Sequence, residues 1–254
     1  MSRFSNLELE AQGQAPTPGA APPDGEPIRD KYYFQERAVA AWQAGNFEEA
    51  LLKFARSLEE DSTFFVGWLG QVRMLIELEE YPEAVVWADK ALELFPDQQD
   101  LLSAKALALL AQGDVSQAQK LSDAAVAREG LTYYVWLARA EILLARKSSV
   151  AQNCIHNAIR SAGNDAPTAR LEAGRVLLRA GDAGSAQAYL TEAVQALPHS
   201  ALAWYELGQC QSALGFREAR AAFARCLVLR PSWPKAHAAA RSVPKRGLFA
   251  WLRR

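Results

Sequence analysis

The fold is decided by residues 204–231, which read WYELGQCQSALGFREARAAFARCLVLRP. Trp204 and Leu207 begin an apolar pattern that recurs at threes and fours, so these residues share one face of a first helix. Gly215 interrupts that helix, because glycine permits the backbone of a turn. The same periodicity resumes in a second helix, which ends at Pro231 because proline cannot continue a helix. Two short antiparallel helices are therefore predicted, with an apolar side that needs a neighbour to cover it.

The order of residue types in this stretch resembles the signature of the tetratricopeptide repeat. The residues that match are Trp204, Leu207, Gly208, Gly215, Ala219, Phe223 and Pro231. That signature recurs with a period of about 34 residues. The resemblance can therefore be tested against the rest of the chain.

The 34-residue period continues back to the start of the helical sequence. The positions equivalent to Trp204 hold Arg170, Trp136, Leu102, Trp68 and Phe34, all large and apolar except Arg170. The positions equivalent to Gly208 hold the compact residues Gly174, Ala140, Ala106, Val72 and Ala38. The turn glycine recurs at Gly181, Gly113 and Gly45, while Lys147 and Glu79 replace it in two repeats. Six repeats are predicted, beginning near Lys31, Phe65, Gln99, Tyr133, Pro167 and Ala201.

The resemblance implies an all-α fold: a right-handed superhelical solenoid of about six tetratricopeptide helix-turn-helix repeats plus a C-terminal capping helix. We expect residues 1–30 to be a disordered leader rich in proline and alanine, and residues 31–231 to be the six-repeat array. Residues 232–243 are predicted to cap the array, since solenoids need a polar-faced end for solubility. Residues 244–254 form a basic-aromatic tail.

Composition limits the classes of partner. Lys and Arg total 28 against 29 for Asp and Glu, and a net charge of -1 gives no general attraction to nucleic acid. The three cysteines are an odd number in helical positions, which indicates a reducing, cytoplasmic compartment. The sequence contains no apolar run of the roughly 18 residues that a spanning helix needs. We therefore expect a soluble protein.

The residue patterns of an active site are missing from the sequence. His156, His199 and His237 are scattered, without a second ligand at metal spacing. The run 181–186, GDAGSA, follows a predicted helix and lacks the lysine of a P-loop, so it is interpreted as a repeat turn. We expect a protein that is not an enzyme and that holds no cofactor and no metal.

The resemblance also implies a binding surface, because the first helices of tetratricopeptide repeats line a concave groove that holds peptides or helices. The groove positions that the resemblance implies in this chain are Trp42, Leu69, Arg73, Ile76, Leu107, Leu110, Leu137, Glu141, Leu171, Arg175, Leu178, Tyr205 and Gln209. Gln35, Val39 and Leu144 occupy equivalent positions. Family members that bind the acidic carboxyl termini of chaperones use lysine, asparagine and arginine at set positions, which here hold Gln35, Val39, Gly70, Asp100 and Ala104. A chaperone-tail adaptor is therefore disfavoured.

The predicted function is a non-enzymatic scaffold or adaptor that binds an amphipathic helix or an extended hydrophobic segment of a partner protein. Leucines would anchor the partner, and Arg73, Glu141 and Arg175 would set its orientation. Two alternatives rest on the tail, where four basic residues bracket an apolar group that includes Phe249 and Trp251. The tail could occupy the protein's own groove and drive self-association. It could also attach the protein to a membrane surface, the less favoured of the two.

Overall fold

The computed structural model describes residues 29–96 and 98–243, and in this part of the chain the regular structure is entirely helical. The α-helices are α1 (Lys31–Gln43), α2 (Phe47–Glu60), α3 (Phe65–Glu77), α4 (Tyr81–Leu94), α5 (Gln99–Ala111), α6 (Val115–Val126), α7 (Tyr133–Ala145), α8 (Ala151–Ser161), α9 (Ala166–Arg179), α10 (Ala183–Ala196), α11 (Ala201–Ala213), α12 (Ala219–Leu229) and α13 (Pro234–Ser242). One turn of 3-10 helix, Gly163–Asp165, precedes α9. The predicted all-α class is confirmed.

Successive helices form the predicted helix-turn-helix repeats. The first helices of the six repeats begin at Lys31, Phe65, Gln99, Tyr133, Ala166 and Ala201. Five of these starts coincide with the predicted ones, and the fifth repeat begins one residue early, with Pro167 in the first turn of its helix. Proline is tolerated there because the first amides of a helix have no intrahelical acceptor.

The helices divide into two compact units. The first unit comprises the described residues up to Trp42 and those between Asn46 and Glu129, which include α2 to α6 and nearly all of α1. Within it, α2 packs on α3, α4 packs on α5, and α3 lies beside α5. The second unit comprises Gln43–Gly45 and the described residues from Gly130 onward, with α7 to α13. Within it, α9 lies beside both α7 and α11.

Compact residues let the helices of each repeat approach closely. Ala38, Val72, Ala106 and Ala140 are completely buried. In the last two repeats the same position is glycine, and a methyl group added at Gly208 would lie 2.6 Å from Cε1 of Phe223 on α12. A methyl group at Gly174 would likewise collide with Leu190 on α10. Because interiors are close-packed, the side chain of one helix fills the space that the other leaves empty.

The turns between paired helices share one backbone conformation. Gly45, Gly113, Gly181 and Gly215 have φ values of 73°, 88°, 81° and 73°. Glu79 and Lys147, which replace the glycine, have φ values of 64° and 56°. In all six turns the residue after this position donates its amide to the carbonyl five residues earlier, at 2.8–2.9 Å. This hydrogen bond satisfies a carbonyl at the helix end, so the same turn forms with or without glycine.

Side-chain caps fix the starts of several helices. Asp114, Thr132, Asp182 and Ser200 each precede a helix and accept a hydrogen bond from the amide three residues later. Such a bond satisfies one of the amides that a helix start leaves unpaired. In helix α13, Ala236 is buried, while His237 and Arg241 are exposed.

Some sequence expectations concern residues outside the described part of the chain. These are the leader through residue 28 and the tail from residue 244, including Phe249 and Trp251. Among the helices that the structure describes, none has the length and apolar character needed to cross a membrane. The three cysteines, Cys154, Cys210 and Cys226, are buried and free.

Replacing Gly208 by leucine should destabilise the fold by overpacking. We expect Gly208→Leu to lower the free energy of unfolding by about 1–3 kcal/mol, because its side chain would enter space held by Phe223. Gly184→Leu is the matched control, since Gly184 is also helical and, among the described residues, a methyl group there would have only Oδ1 of Asp182 nearby, at 3.6 Å. Urea unfolding followed by circular dichroism measures both variants. Equal midpoints would contradict the close approach of α11 and α12.

Replacing a turn lysine by glycine and a turn glycine by lysine should change the free energy of unfolding in opposite directions. A non-glycine residue at positive φ costs about 1–2 kcal/mol, so Lys147→Gly should stabilise the protein by up to about 1 kcal/mol after the entropy of glycine is included. Gly113→Lys should destabilise it by a similar amount, with no steric contribution because no atom of the described part of the chain lies within 4 Å of a Cβ there. Urea midpoints that move in the same direction would contradict this account.

Candidate functional site

The candidate site is one face of the first helices. It carries three rows of residues, and successive residues of a row are one 34-residue repeat apart in the sequence. We call this surface the first-helix face and define it separately in each unit. In the first unit its rows are Gln35, Leu69 and Ser103; Val39, Arg73 and Leu107; and Trp42, Ile76 and Leu110. In the second unit they are Leu137, Leu171 and Tyr205; Glu141, Arg175 and Gln209; and Leu144, Leu178 and Ser212.

Three of the predicted groove residues lie in the packed interior. Trp42, Leu137 and Leu171 retain 5%, 2% and 0% of their accessible surface. They therefore stabilise the helix packing and present almost no surface to a partner in this conformation. These residues occupy equivalent positions in the 34-residue repeat, but burial varies along each row.

In the first unit the first-helix face is mainly apolar. Leu69 and Ile76 on α3 and Leu107 and Leu110 on α5 are all half-buried, and the two helices lie side by side. Arg73, also half-buried, is the charged residue among these positions. The arrangement leaves aliphatic surface on two adjacent helices, which is the surface that an apolar segment could cover.

In the second unit the middle row is occupied by charges that pair between helices. The Nε and Nη2 atoms of Arg179 on α9 donate to the two carboxylate oxygens of Glu141 on α7, at 2.7 and 2.8 Å. Such a two-point contact fixes orientation as well as distance. Glu141 is therefore engaged within the protein.

A second ion pair continues from α9 to α11. The Nε atom of Arg175 donates to Oε1 of Glu206 at 3.0 Å, and the side chains are only 11% and 14% exposed. Arg179 and Glu206 were not among the predicted site residues. Their partners lie 38 and 31 residues away, one repeat plus or minus about one helical turn. Searching for opposite charges at those separations would have found both pairs.

The remaining predicted residues differ in accessibility. Leu178 is half-buried and Gln209 is exposed. Tyr205 is half-buried, with its ring 4.6 Å from that of Trp233 and 6.0 Å from that of Phe223, measured between centroids. Burial, assisted by the charge of Glu206, raises the pKa of the Tyr205 hydroxyl. Tyr205 therefore combines a packing role with a partly accessible ring.

Outside the first-helix face, His237 and Cys226 are engaged within the protein. Between residues 29 and 243, Asp97 apart, no cluster of three or more His, Cys, Asp or Glu side chains could hold a metal ion. The Nε2 atom of His237 lies 2.7 Å from the carbonyl oxygen of Pro231. Burial raises the pKa of the Cys226 thiol to about 11, so this thiol stays protonated at neutral pH.

Two of the arginine–glutamate pairs formed by α9, Arg175–Glu206 and Arg170–Glu192, should differ in their contribution to stability. Glu206→Gln should lower the free energy of unfolding by about 1.5–3 kcal/mol, because it removes a charged acceptor from a largely buried arginine. Glu192→Gln is the control, since Glu192 is 56% exposed in its pair with Arg170, and we expect a loss of about 0–1 kcal/mol. Urea denaturation measures both variants. Equal losses would contradict the structural role of the Arg175–Glu206 pair.

Comparison with solved structures shows the same kind of fold. The human IFIT1 dimer with PPP-AAAA has a TM-score of 0.56 and 21% identity, covering 80% of this chain and 50% of that chain. The APC/C hetero-tetramer Cut9–Hcn1 has a TM-score of 0.53 and 13% identity, covering 85% and 43%. A tetratricopeptide repeat protein from Parabacteroides merdae has a TM-score of 0.51 and 14% identity, covering 85% of each chain. At these identities the likeness concerns the fold alone.

The chain spans half or less of the IFIT1 and Cut9–Hcn1 chains that it resembles. A search of curated protein sequences gave no significant match. The model of the tetratricopeptide repeat family matches residues 36–98, 103–153 and 171–215, which together are more than half of the sequence. From this match and the six helical pairs, we conclude that the chain belongs to the tetratricopeptide repeat family.

Proposed function

We propose that this protein is a non-enzymatic scaffold or adaptor that binds a helix or an extended hydrophobic segment of a partner protein. Proteins with tetratricopeptide repeats generally mediate protein–protein interactions. The proposal that the partner segment is apolar is supported by the surface of the first unit, where Leu69, Ile76, Leu107 and Leu110 are half-buried on adjacent helices. The expected occupant presents aliphatic or aromatic side chains at helical or alternating spacing.

The size of the apolar surface is consistent with a reversible complex. A micromolar dissociation constant corresponds to about 8 kcal/mol. Completing the burial of one of these leucine or isoleucine side chains contributes at most about 1 kcal/mol, because no more than about a third of its surface is still exposed. The four side chains would therefore supply at most about half of the required free energy, and apolar side chains of the partner would supply the remainder.

In the second unit, two charged positions of the first-helix face are already paired within the protein. Glu141 and Arg175 already contact Arg179 and Glu206, so a charged group of the partner would have to compete with an internal ion pair. Such competition favours partners whose charged groups are placed to pair with these glutamates and arginines. The apolar surface of the first unit is therefore the site that this proposal assigns to the partner.

Two alternatives and the location of the protein remain predictions. Self-association and membrane attachment both depend on the tail that contains Phe249 and Trp251, which lies outside the described residues. A cytoplasmic location is part of our proposal, and its support is the presence of three buried free thiols.

Adding charge to the apolar surface should remove partners. We expect the double variant Ile76→Glu with Leu107→Glu to lose proteins that the wild type captures from its source cell, because carboxylates would have to be buried against apolar side chains. The matched control is Leu52→Glu with Val86→Glu. These residues lie on second helices of the same unit, and each is 52% exposed. Affinity capture with quantitative mass spectrometry compares the three proteins.

Circular dichroism melts test whether both double variants remain folded. Proteins retained by the wild type and by the control, but lost by the Ile76–Leu107 variant, would support the proposal. The same set of captured proteins from all three samples would contradict the assignment of this surface as the binding site.

A further inference from the structure

A cleft of about 360 Å³ opens beside the first two helices of the first unit. Its lining residues are Arg29, Tyr33, Phe34, Arg37, Glu49 and Lys53. Arg29 precedes α1, three of the others lie on α1, and Glu49 and Lys53 lie on α2. The cleft involves none of the groove positions predicted from the sequence, and its α2 residues belong to a second helix. It is therefore separate from the first-helix face.

The cleft is positively charged in a protein that is nearly neutral. Its lining has three cationic side chains and one carboxylate, a local charge of +2, whereas the whole chain has a net charge of -1. Oε2 of Glu49 accepts a hydrogen bond from Nδ2 of Asn46 at 2.7 Å, so this carboxylate is held by a neighbour outside the cleft lining. Arg29 and Lys53 form no hydrogen bond or ion pair with any described residue.

Lys31, a cation on α1 that is not part of the cleft lining, has a charged partner. Nζ of Lys31 contacts Oδ2 of Asp61 at 2.6 Å. The hydrogen bond from Lys31, followed by those from Thr63, lowers the pKa of Asp61 to about 2, so its carboxylate is ionised at neutral pH and balances the charge of Lys31. Within the described residues the cations of the cleft have no such partner, and a bound carboxylate would supply the missing charge.

Aromatic side chains organise the cleft. The rings of Tyr33 and Phe34 meet edge to face with centroids 5.4 Å apart. The guanidinium carbon of Arg37 lies 5.3 Å from the centroid of the Tyr33 ring. This cation–π contact restricts the arginine before a ligand arrives, and a planar guanidinium can donate two parallel hydrogen bonds to one carboxylate. The rings also offer apolar surface next to the charges.

We propose that this cleft binds a short acidic segment of a partner protein. Carboxylates of that segment contact Arg29, Arg37 and Lys53, and an adjacent apolar side chain packs against Tyr33 and Phe34. The cleft contains only three cations and is bordered by the carboxylate of Glu49, whereas nucleic-acid sites need a basic track along successive phosphates. A peptide carboxylate, with its single charge and planar shape, fits these features better than a phosphate backbone.

The test uses the full-length protein and a fluorescent peptide of alternating Asp-Glu and Leu residues, with binding measured by fluorescence anisotropy. We expect the wild type to bind this peptide at low salt, and to bind its Asn-Gln counterpart at least about tenfold more weakly. Arg37→Glu and Lys53→Glu should each weaken binding of the acidic peptide by about tenfold or more, equivalent to 1.4 kcal/mol. Lys120→Glu is the matched control, because Lys120 is exposed on α6 of the same unit.

Four results would overturn the proposal. They are absence of binding by the wild type, equal weakening by Lys120→Glu, equal affinity for the neutral peptide, and tighter binding of an oligonucleotide of the same charge. A fifth result would identify a different occupant of the cleft, namely the leader, which carries Glu8, Glu10, Asp24 and Glu26. If changing these four residues to glutamine raised the peptide affinity by about tenfold or more, the occupant would be the leader and the partner segment would be excluded.

A further variant separates this inference from the proposed function. The double variant Ile76→Glu with Leu107→Glu changes the first-helix face and should bind the acidic peptide as tightly as the wild type. Loss of peptide binding in that variant would contradict a separate cleft. Retention, combined with unchanged protein capture in the earlier experiment, would leave the cleft supported and the proposed groove rejected.

Discussion

Close contact between a compact residue on one helix and a large side chain on another determines the rest of this structure. Gly208 receives the ring of Phe223 within its own repeat, and Gly174 receives Leu190 in the same way. At Gly70 the contact is with Phe54, on the second helix of the preceding repeat. The same kind of contact therefore operates within repeats and between them. Because these contacts set the distance between helices, they also fix which side chains of each first helix stay accessible.

The two units use equivalent positions in different ways. Leu107 and Ile76 leave aliphatic surface on the first unit, whereas the positions of Glu141 and Arg175 carry ion pairs between neighbouring first helices of the second unit. A repeat can therefore keep its packing residues while its surface row changes from apolar to charged. In physical terms, the residues that pack the helices together and the accessible residues of the proposed binding surface occupy separate positions of the same helix.

Sequence periodicity predicted the helices and turns because both depend on local spacing. Five of the six starts of the first helices, including Tyr133, follow directly from the 34-residue period. Depth of burial could not be predicted in this way, since Leu171 and Leu178 share a helix side but only Leu171 is completely buried. The partners of Arg175 and the lining of the basic cleft depend on distances between separate helices. Those distances are set by packing, which a single sequence pattern does not specify.

The turns have an evolutionary consequence. Their shape is maintained by a backbone hydrogen bond, at 2.9 Å in the turns that contain Glu79 and Lys147, and not by one obligatory residue type. The side chains of both residues are exposed. Substitutions there can accumulate, each with a small penalty in stability, without altering the contacts between helices. The turns are therefore positions at which the surface of this protein can diversify while its framework is retained.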